Sequence, residues 1–190
     1  MEVDGSNISG KRRKPKAVYI VLNKPVGIET TADPRVKENI IDFVNHTERV
    51  FPVGRLDKDS QGLILLTNNG DIVNKILRAE NEHEKEYIVQ VNKSITKEFL
   101  KGMAGGVKIL NTVTKPAKLV QIDDNRFRIT ITQGLNRQIR RMCEAFGYRV
   151  LVLQRVRIMN IRLGHLKVGH WRNLTHPELT ELLETLEEME

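Results

Sequence analysis

Three short segments carry side chains that could take part in chemistry. Asp57 lies in residues 54–62, which are rich in glycine, aspartate and serine and are therefore predicted to form a loop. A carboxylate in such a loop can act as a nucleophile or as a general base. Most loop aspartates instead form Asx turns or face solvent, so loop character alone leaves both interpretations of Asp57 open.

Arg137, Arg140 and Arg141 lie close together in a helix predicted to begin at Asn136. Guanidinium groups near the positive N-terminal end of a helix can bind phosphates, and one of them could hold a buried carboxylate through paired hydrogen bonds. A solvated basic helix face explains the same spacing equally well.

Lys85 and Tyr87 are two residues apart in a predicted strand, so their side chains project from the same face. An amine there could contact a phosphate while a phenol ring stacks on a base. A tyrosine at the edge of the core beside an extended lysine would give the same pattern. Spacing in the sequence does not establish that these three segments meet.

The strands that would position these side chains are indicated by β-branched and aromatic runs. They are predicted at 17–22, 63–67 and 85–91, with two or three more in 107–132 and a β-rich stretch at 148–163. Residues 63–67 are almost wholly apolar, which predicts a strand buried on both faces.

Helices are predicted from apolar residues at helical spacing. They cover 40–44, 71–78, 96–104, a helix from Asn136 with Ile139, Met142, Cys143 and Phe146 inward and Gly147 just past its end, and a terminal helix after the capping-box residues Thr175 and Glu178. Strands and helices do not alternate regularly, and the nucleotide-binding motifs GxGxxG and GxxxxGK(S/T) do not occur. We therefore predict an α+β fold, a mixed, largely antiparallel sheet with flanking helices, over residues 17–190, after a basic flexible tail at 1–16.

The charge distribution favours a polyanionic partner. The chain carries 31 Lys and Arg against 24 Asp and Glu, a net charge of +7. Six of the acidic residues are in the last fifteen positions, which hold no Lys or Arg, so residues 1–175 have a net charge of +13. Such an excess suits nucleic acid, although anionic membranes and acidic proteins would also attract it.

Several classes of protein are disfavoured. The single cysteine, Cys143, cannot form an intramolecular disulfide, and the five histidines form no HExxH or HxxxH pattern, so a metal site is not expected. The sequence has no apolar run of about eighteen residues and no signal-peptide core. We expect a cytoplasmic protein with no membrane partner.

Four segments follow one another along the chain: 22–27 (LNKPVG), 54–71 (GRLDKDSQGLILLTNNGD), 85–87 (KEY) and 134–142 (GLNRQIRRM). In this order they resemble the RsuA-type ribosomal-RNA pseudouridine synthases. The resemblance extends over most of the chain, from residue 17 to residue 175.

The resemblance implies the pseudouridine synthase catalytic fold with a central active-site cleft, and an isomerase acting on uridine in structured RNA. It implies that Asp57 is the nucleophile, at C1′ or by starting a glycal route, that Tyr87 stacks on the uracil, and that Arg140 pairs with Asp57. Arg55 would fill the space left by the flipped base. The other RNA contacts would come from Lys85, Arg137 and Arg141.

Pseudouridine formation needs no electron transfer and no group donor, and the resemblance implies neither a cofactor nor a metal. The expected partner of a monomeric enzyme is 23S large-subunit ribosomal RNA, with transfer RNA as an alternative. Relatives usually carry an N-terminal RNA-binding domain of the S4 type, whereas here only residues 1–16 precede the first predicted strand. We therefore expect either a truncated chain or another way of reaching the RNA.

Two other functions would also explain the basic charge. A non-catalytic RNA-binding or ribosome-assembly protein would do so, but it gives no reason for the combination of Asp57, Tyr87 and Arg140. A module that binds acidic proteins would need neither a cleft nor RNA.

Overall fold

The computed structural model describes residues 15–190, so most of the predicted tail at 1–16 lies outside the described residues. The strands are β1 (Tyr19–Lys24), β2 (Phe51–Val53), β3 (Gln61–Thr67), β4 (Lys85–Val91), β5 (Lys108–Ile109), β6 (Thr112–Val113), β7 (Lys118–Asp123), β8 (Arg126–Ile131), β9 (Val150–Ile158), β10 (Ile161–Arg162) and β11 (Trp171–Asn173). The helices are α1 (Ile40–Val44), α2 (Gly70–Arg78), α3 (Lys97–Ala104), α4 (Gln138–Ala145) and α5 (His176–Glu188).

One large sheet runs in the order β11-β1-β3-β9-β4-β8-β7, with β2 paired to β3 and β10 paired to β9. Its pairs are antiparallel except for β3 and β9, which are parallel over only two residue pairs, Gln61 with Gln154 and Gly62 with Arg155. This short pairing joins two antiparallel halves. The α+β fold with a largely antiparallel sheet is thus confirmed.

Strand β3 is buried on both faces, as its apolar sequence predicts. Leu63 and Leu65 belong to a core cluster with residues of α2 and α5, whereas Ile64 and Leu66 belong to a second cluster with α1. Side chains alternate between the faces of a strand, so β3 anchors both layers of the first half. The loop that precedes β3 is therefore attached to a strand that is packed on both faces.

The second half has its core on the face of the sheet covered by α3 and α4. Phe99 of α3 and Phe127 of β8 are almost completely buried and meet edge to face at 5.4 Å between ring centroids. Truncating either ring to alanine would cost about 3–5 kcal/mol. This packing holds α3 against β8 in the core of the second half.

Local differences from the sequence prediction concern the ends and faces of elements. Helix α4 begins at Gln138, because Arg137 adopts the left-handed conformation with φ 48°. Phe146, predicted to point inward, is 37% exposed, although its ring still contacts Phe99 at 5.9 Å. Residues 107–132 hold four strands, because two of them form a separate short hairpin, β5 with β6.

Two predicted signals at helix ends are present in the structure. Gly147 has a positive φ of 77° just after α4, and Thr175 and Glu178 form the capping box of α5. Across residues 15–190, no helix combines the length and the apolar character that crossing a membrane requires.

Candidate active site

The loop between β2 and β3, residues 54–60, is fixed through its backbone. The hydroxyl of Thr30 donates to the carbonyl of Leu56 at 2.9 Å. The backbone N–H of Gly27 donates to the carbonyl of Lys58 at 2.8 Å, and that of Ser60 donates to the carbonyl of Asp57 at 2.9 Å. Asp57 thus lies between two carbonyls that are anchored from outside the loop.

Lys24, at the end of β1, also binds this loop through its side chain. Its side chain is fully buried, and Nζ donates to the carbonyls of Pro25 at 2.8 Å, Ile28 at 2.7 Å and Lys58 at 3.4 Å. Burial lowers the pKa of Lys24 to about 8, while the nearby carboxylates of Asp59 and Asp57 act in the opposite direction. The resemblance included Lys24 in a segment, but sequence reasoning assigned it no role.

Arg137 is the arginine that reaches both carboxylates of the loop. Its guanidinium donates to the two oxygens of Asp59 at 3.0 and 2.9 Å and lies 3.5 Å from Oδ2 of Asp57. The hydrogen bonds from Arg137 lower the pKa of Asp59. The left-handed backbone of Arg137 is uncommon for a residue with a side chain, and such conformations cluster at functional sites.

Arg140 takes a different place from the one expected. Its Nη2 donates to the carbonyl of Asp59 at 3.0 Å and to Oγ of Ser60 at 3.1 Å, and it lies 3.6 Å from the Asp59 carboxylate. The residue within ion-pair distance of Asp57 is Arg137, because it precedes the first turn of α4 and so extends further toward the loop. Arg140 therefore contacts the loop at Asp59 and Ser60 and not at Asp57.

These elements enclose a cleft of about 640 Å³ at the junction of the two halves. Arg55 and Asp57 line it from the loop, Lys85 and Tyr87 from β4, and Arg137 from the start of α4. Five of the seven residues predicted from sequence therefore meet in one cavity, and the central cleft expected from the resemblance is present. Arg140 and Arg141 do not line it.

Lys85 is buried rather than free to bind a phosphate at the surface. Its Nζ donates to the carbonyl of Glu80 and, at 3.4 Å, to that of Thr132. Burial lowers the pKa of Lys85 to about 8. Arg141 binds the backbone carbonyl and the side chain of Asn136, at 3.0 and 2.9 Å, and so secures the segment before α4.

Arg155, on β9, is a cleft residue that sequence reasoning missed. It is 6% exposed, pairs across the sheet with Tyr87, and donates through Nε to the carbonyl of Leu63 at 2.8 Å. Its Nη1 lies 3.4 Å from the carbonyl of Arg55. Strand β9 also carries Gln154 and Arg157, so its sequence does not mark Arg155 as the buried arginine. Arginines are almost never fully buried unless they are paired.

The fold and this cleft define a class of protein. The family model for RNA pseudouridylate synthases matches residues 18–145, and the chain belongs to that family. A crystal structure of a pseudouridylate synthase is similar to this chain with a TM-score of 0.81 and 32% identity, covering 89% of this chain and 75% of the other.

The relatives refine this class. A dual-specificity RNA pseudouridine synthase, RluF, of Escherichia coli (strain K12) is 58% identical over 187 residues, which is 98% of this chain and 64% of the relative. The chain thus spans less than two thirds of that relative's length. The ribosomal large subunit pseudouridine synthase B of Bacillus subtilis (strain 168) is 36% identical over 190 residues, covering 96% of this chain and 76% of the relative. The similarity to RluF is in line with the amino-acid sequences of residues 51–62 and 132–140, which resemble those of the synthase F subgroup.

Proposed function

We propose that this chain isomerises uridine to pseudouridine in RNA, with Asp57 as the nucleophile. The observation that carries the proposal is the setting of Asp57, whose backbone is anchored on both sides and whose side chain lines a cleft shared with Tyr87 and Arg137. A volume of about 640 Å³ is in the range of sites for small organic ligands, so it has room for a nucleotide taken out of a helix.

The reaction breaks the N1–C1′ bond of uridine, turns the detached uracil, and joins its C5 to the same ribose carbon. Asp57 either attacks C1′ to form an ester or removes the 2′ proton to form a glycal. Both routes begin from a carboxylate that is held in place, and the anchored carbonyls of residues 56 and 58 provide that rigidity.

Tyr87 and Arg55 have separate tasks in this proposal. The ring of Tyr87 lies in the cleft, where it stacks on the uracil, and stacking needs no particular base. Arg55 is exposed beside Asp57 and occupies the space that the flipped nucleotide leaves in the RNA. Arg137 is the candidate for a phosphate contact, because its guanidinium lines the cleft and its side chain is 38% exposed.

The proposed substrate is 23S ribosomal RNA, with transfer RNA as the alternative, bound by a monomer in the cytoplasm. The relative from Escherichia coli is named as acting on RNA with dual specificity, and the one from Bacillus subtilis as acting on the ribosomal large subunit, which supports a ribosomal RNA substrate. The net charge of +13 on residues 1–175 supports an RNA partner on physical grounds. No cofactor is assigned to the cleft.

The test is to incubate the purified chain with unmodified large-subunit RNA and, separately, with unmodified bulk transfer RNA, and to map pseudouridine chemically. We expect new pseudouridine at one or a few positions of the large-subunit RNA. Pseudouridine in neither RNA, from a chain that binds both, would contradict the proposal and favour a non-catalytic RNA-binding protein.

A further inference from the structure

The side of the cleft formed by β4 and β9 holds a group of buried basic residues. Arg155 and Lys85 are each 6% exposed and His83 is 5% exposed. All three line a small cavity of about 50 Å³ that adjoins the cleft, and Arg155 and Lys85 line the cleft itself. We define these three residues as the basic floor.

Arg155 is the unusual member of the basic floor, because its charge is not neutralised. Among residues 15–190 no carboxylate lies within ion-pair distance of its guanidinium, and its buried Nη2 has no hydrogen-bond partner there. Leaving a buried cation unpaired is costly, so a site of this kind is suited to a ligand that supplies the negative charge.

Lys85 adds a second positive charge to the same place. Its ammonium has three donors and binds two carbonyls, those of Glu80 and Thr132, so one donor remains for a ligand. Burial, and more weakly the charge of Arg155, lowers the pKa of Lys85 to about 8, while the nearby carboxylate of Glu80 acts in the opposite direction. Burial and the charges of Lys85 and Arg155 together lower the pKa of His83 to about 4, which keeps His83 neutral near pH 7.

The reaction proposed above generates an anion inside this cleft. When the N1–C1′ bond breaks, its electron pair stays on N1, and the uracil leaves as a monoanion with the charge shared between O2 and O4. C1′ is then bonded to a carboxylate oxygen of Asp57 or, after loss of the 2′ proton, is part of a C1′=C2′ double bond. On recombination C5 bonds to C1′, the carboxylate is released or the 2′ proton restored, and the proton of C5 is replaced by one on N1.

Resting on that proposed function, we propose that Arg155 and Lys85 are catalytic residues that bind a carbonyl oxygen of the uracil monoanion between bond breaking and bond formation. Tyr87 is paired with Arg155 across the sheet, so a uracil stacked on its ring lies beside the basic floor. Preorganised donors aimed at developing charge are typically worth a factor of about 10² to 10³ each.

The test compares two RNAs that differ only in carrying uridine or 5-fluorouridine at the modified position. Fluorine withdraws electrons and stabilises the uracil monoanion without help from the protein. Single-turnover loss of the N-linked nucleoside is measured by nuclease digestion and mass spectrometry, for the parent, Arg155→Gln, Lys85→Met and Thr30→Val. Thr30→Val is the matched control, because it removes a hydrogen bond to the Leu56 carbonyl without removing a cation from the floor.

We expect Arg155→Gln and Lys85→Met each to slow the uridine reaction by about 10²-fold, and to slow the 5-fluorouridine reaction by only about 10-fold. Thr30→Val should slow both reactions by the same factor. Equal loss on both RNAs in the Arg155 and Lys85 variants would overturn the inference and leave these residues a structural role. If Arg155→Gln does not fold, Lys85→Met decides the question by the same comparison.

The outcomes also separate this inference from the proposed function. A parent chain that converts neither RNA, or an Asp57→Asn chain that still converts uridine, overturns the proposed function and the inference with it. A parent that converts both RNAs, with variants that lose both equally, overturns the inference alone.

Discussion

Asp57 and Asp59 are two residues apart in one loop, yet different contacts hold their carboxylates. Both oxygens of Asp59 accept hydrogen bonds from Arg137, whereas Asp57 meets the same guanidinium at one oxygen and at 3.5 Å. Both carboxylate oxygens of Asp59 are therefore occupied by Arg137. Asp57 retains the lone pairs that a nucleophile needs, and it is the one of the pair that lines the main cleft.

Tyr87 allows the ring and the hydroxyl to be tested separately. Tyr87→Phe keeps the stacking surface and should retain most of the catalytic efficiency, whereas Tyr87→Leu should lower kcat/KM by about 10- to 100-fold, because stacking is worth about 1–3 kcal/mol per base. Initial rates on the modified RNA give both values. Equal losses in the two variants would show that the hydroxyl, and not the ring, is required.

His83 makes the stability of the protein depend on pH in the acid range. Burial, followed by the charge of Lys85, lowers the pKa of His83 from 6.5 to about 4, so between these values the unfolded chain binds more protons than the folded one. The free energy of unfolding should therefore fall as pH decreases from 6.5 to 4, by up to about 3 kcal/mol.

Thermal unfolding at pH 7 and pH 4.5 measures this effect. His83→Gln should unfold at a temperature that falls less between the two pH values than that of the parent. The exposed His176 provides the matched control, since His176→Gln should keep the parent's pH dependence. A parent and a His83→Gln chain with the same pH dependence would contradict the assignment.

At the scale of elements, the contact between β3 and β9 joins the two halves beside the site. Gly62 has φ +112°, and a Cβ there would lie 2.2 Å from the carbonyl oxygen of Arg155. Gly62→Ala should therefore cost about 2–4 kcal/mol and lower Tm by roughly 5–15 °C. Gly70→Ala is the control, because it has an ordinary φ and nothing within 4 Å, and its Tm should stay within about 2 °C of the parent. An unchanged Tm for Gly62→Ala would mean that the strands can separate here without loss.

Most elements could be predicted from the sequence because their apolar patterns are regular. Strand β4 was predicted with its observed bounds, and the burial of β3 on both faces follows from its apolar run. The start of α4 was misplaced because nothing in residues 136–137 signals a left-handed arginine. Phe146 was wrongly predicted to point inward. It continues the helical spacing of apolar residues, but it lies beyond the part of α4 that the core covers.

The candidate site was predictable in part. Asp57, Tyr87, Lys85 and Arg137 were found because motifs mark them, and the structure brings them into one cleft. The sequence predicted Arg140 as the partner of Asp57, but Arg137 lies beside Asp57 and Arg140 binds the loop backbone. Which arginine reaches Asp57 depends on where α4 begins, and spacing in the sequence does not show this. Lys24 donates to the carbonyl of Lys58, and Arg155 donates to that of Leu63. Both carbonyls are distant in the sequence, so these contacts leave no local pattern.

At the scale of the whole molecule, the excess of positive charge is the feature that would attract RNA in the proposed function. Residues 11–16 carry five of the 31 basic side chains. Deleting residues 1–16 should weaken RNA binding and flatten its salt dependence, with each lost phosphate contact changing the log–log slope by roughly 0.7–0.9. Filter binding between about 50 and 200 mM salt measures the slope. An unchanged slope would mean that residues 1–16 make no phosphate contacts.

The role of Asp57 is tested by comparing Asp57→Asn with the parent in single-turnover formation of pseudouridine on large-subunit RNA. The substitution keeps the size of the side chain and removes its charge, and Asp71→Asn, an exposed acid at the start of α2, serves as the matched control. We expect no detectable pseudouridine from Asp57→Asn, with fold and RNA affinity nearly unchanged, and parental activity from Asp71→Asn. Pseudouridine formed by purified Asp57→Asn would contradict the assignment of Asp57 as the nucleophile.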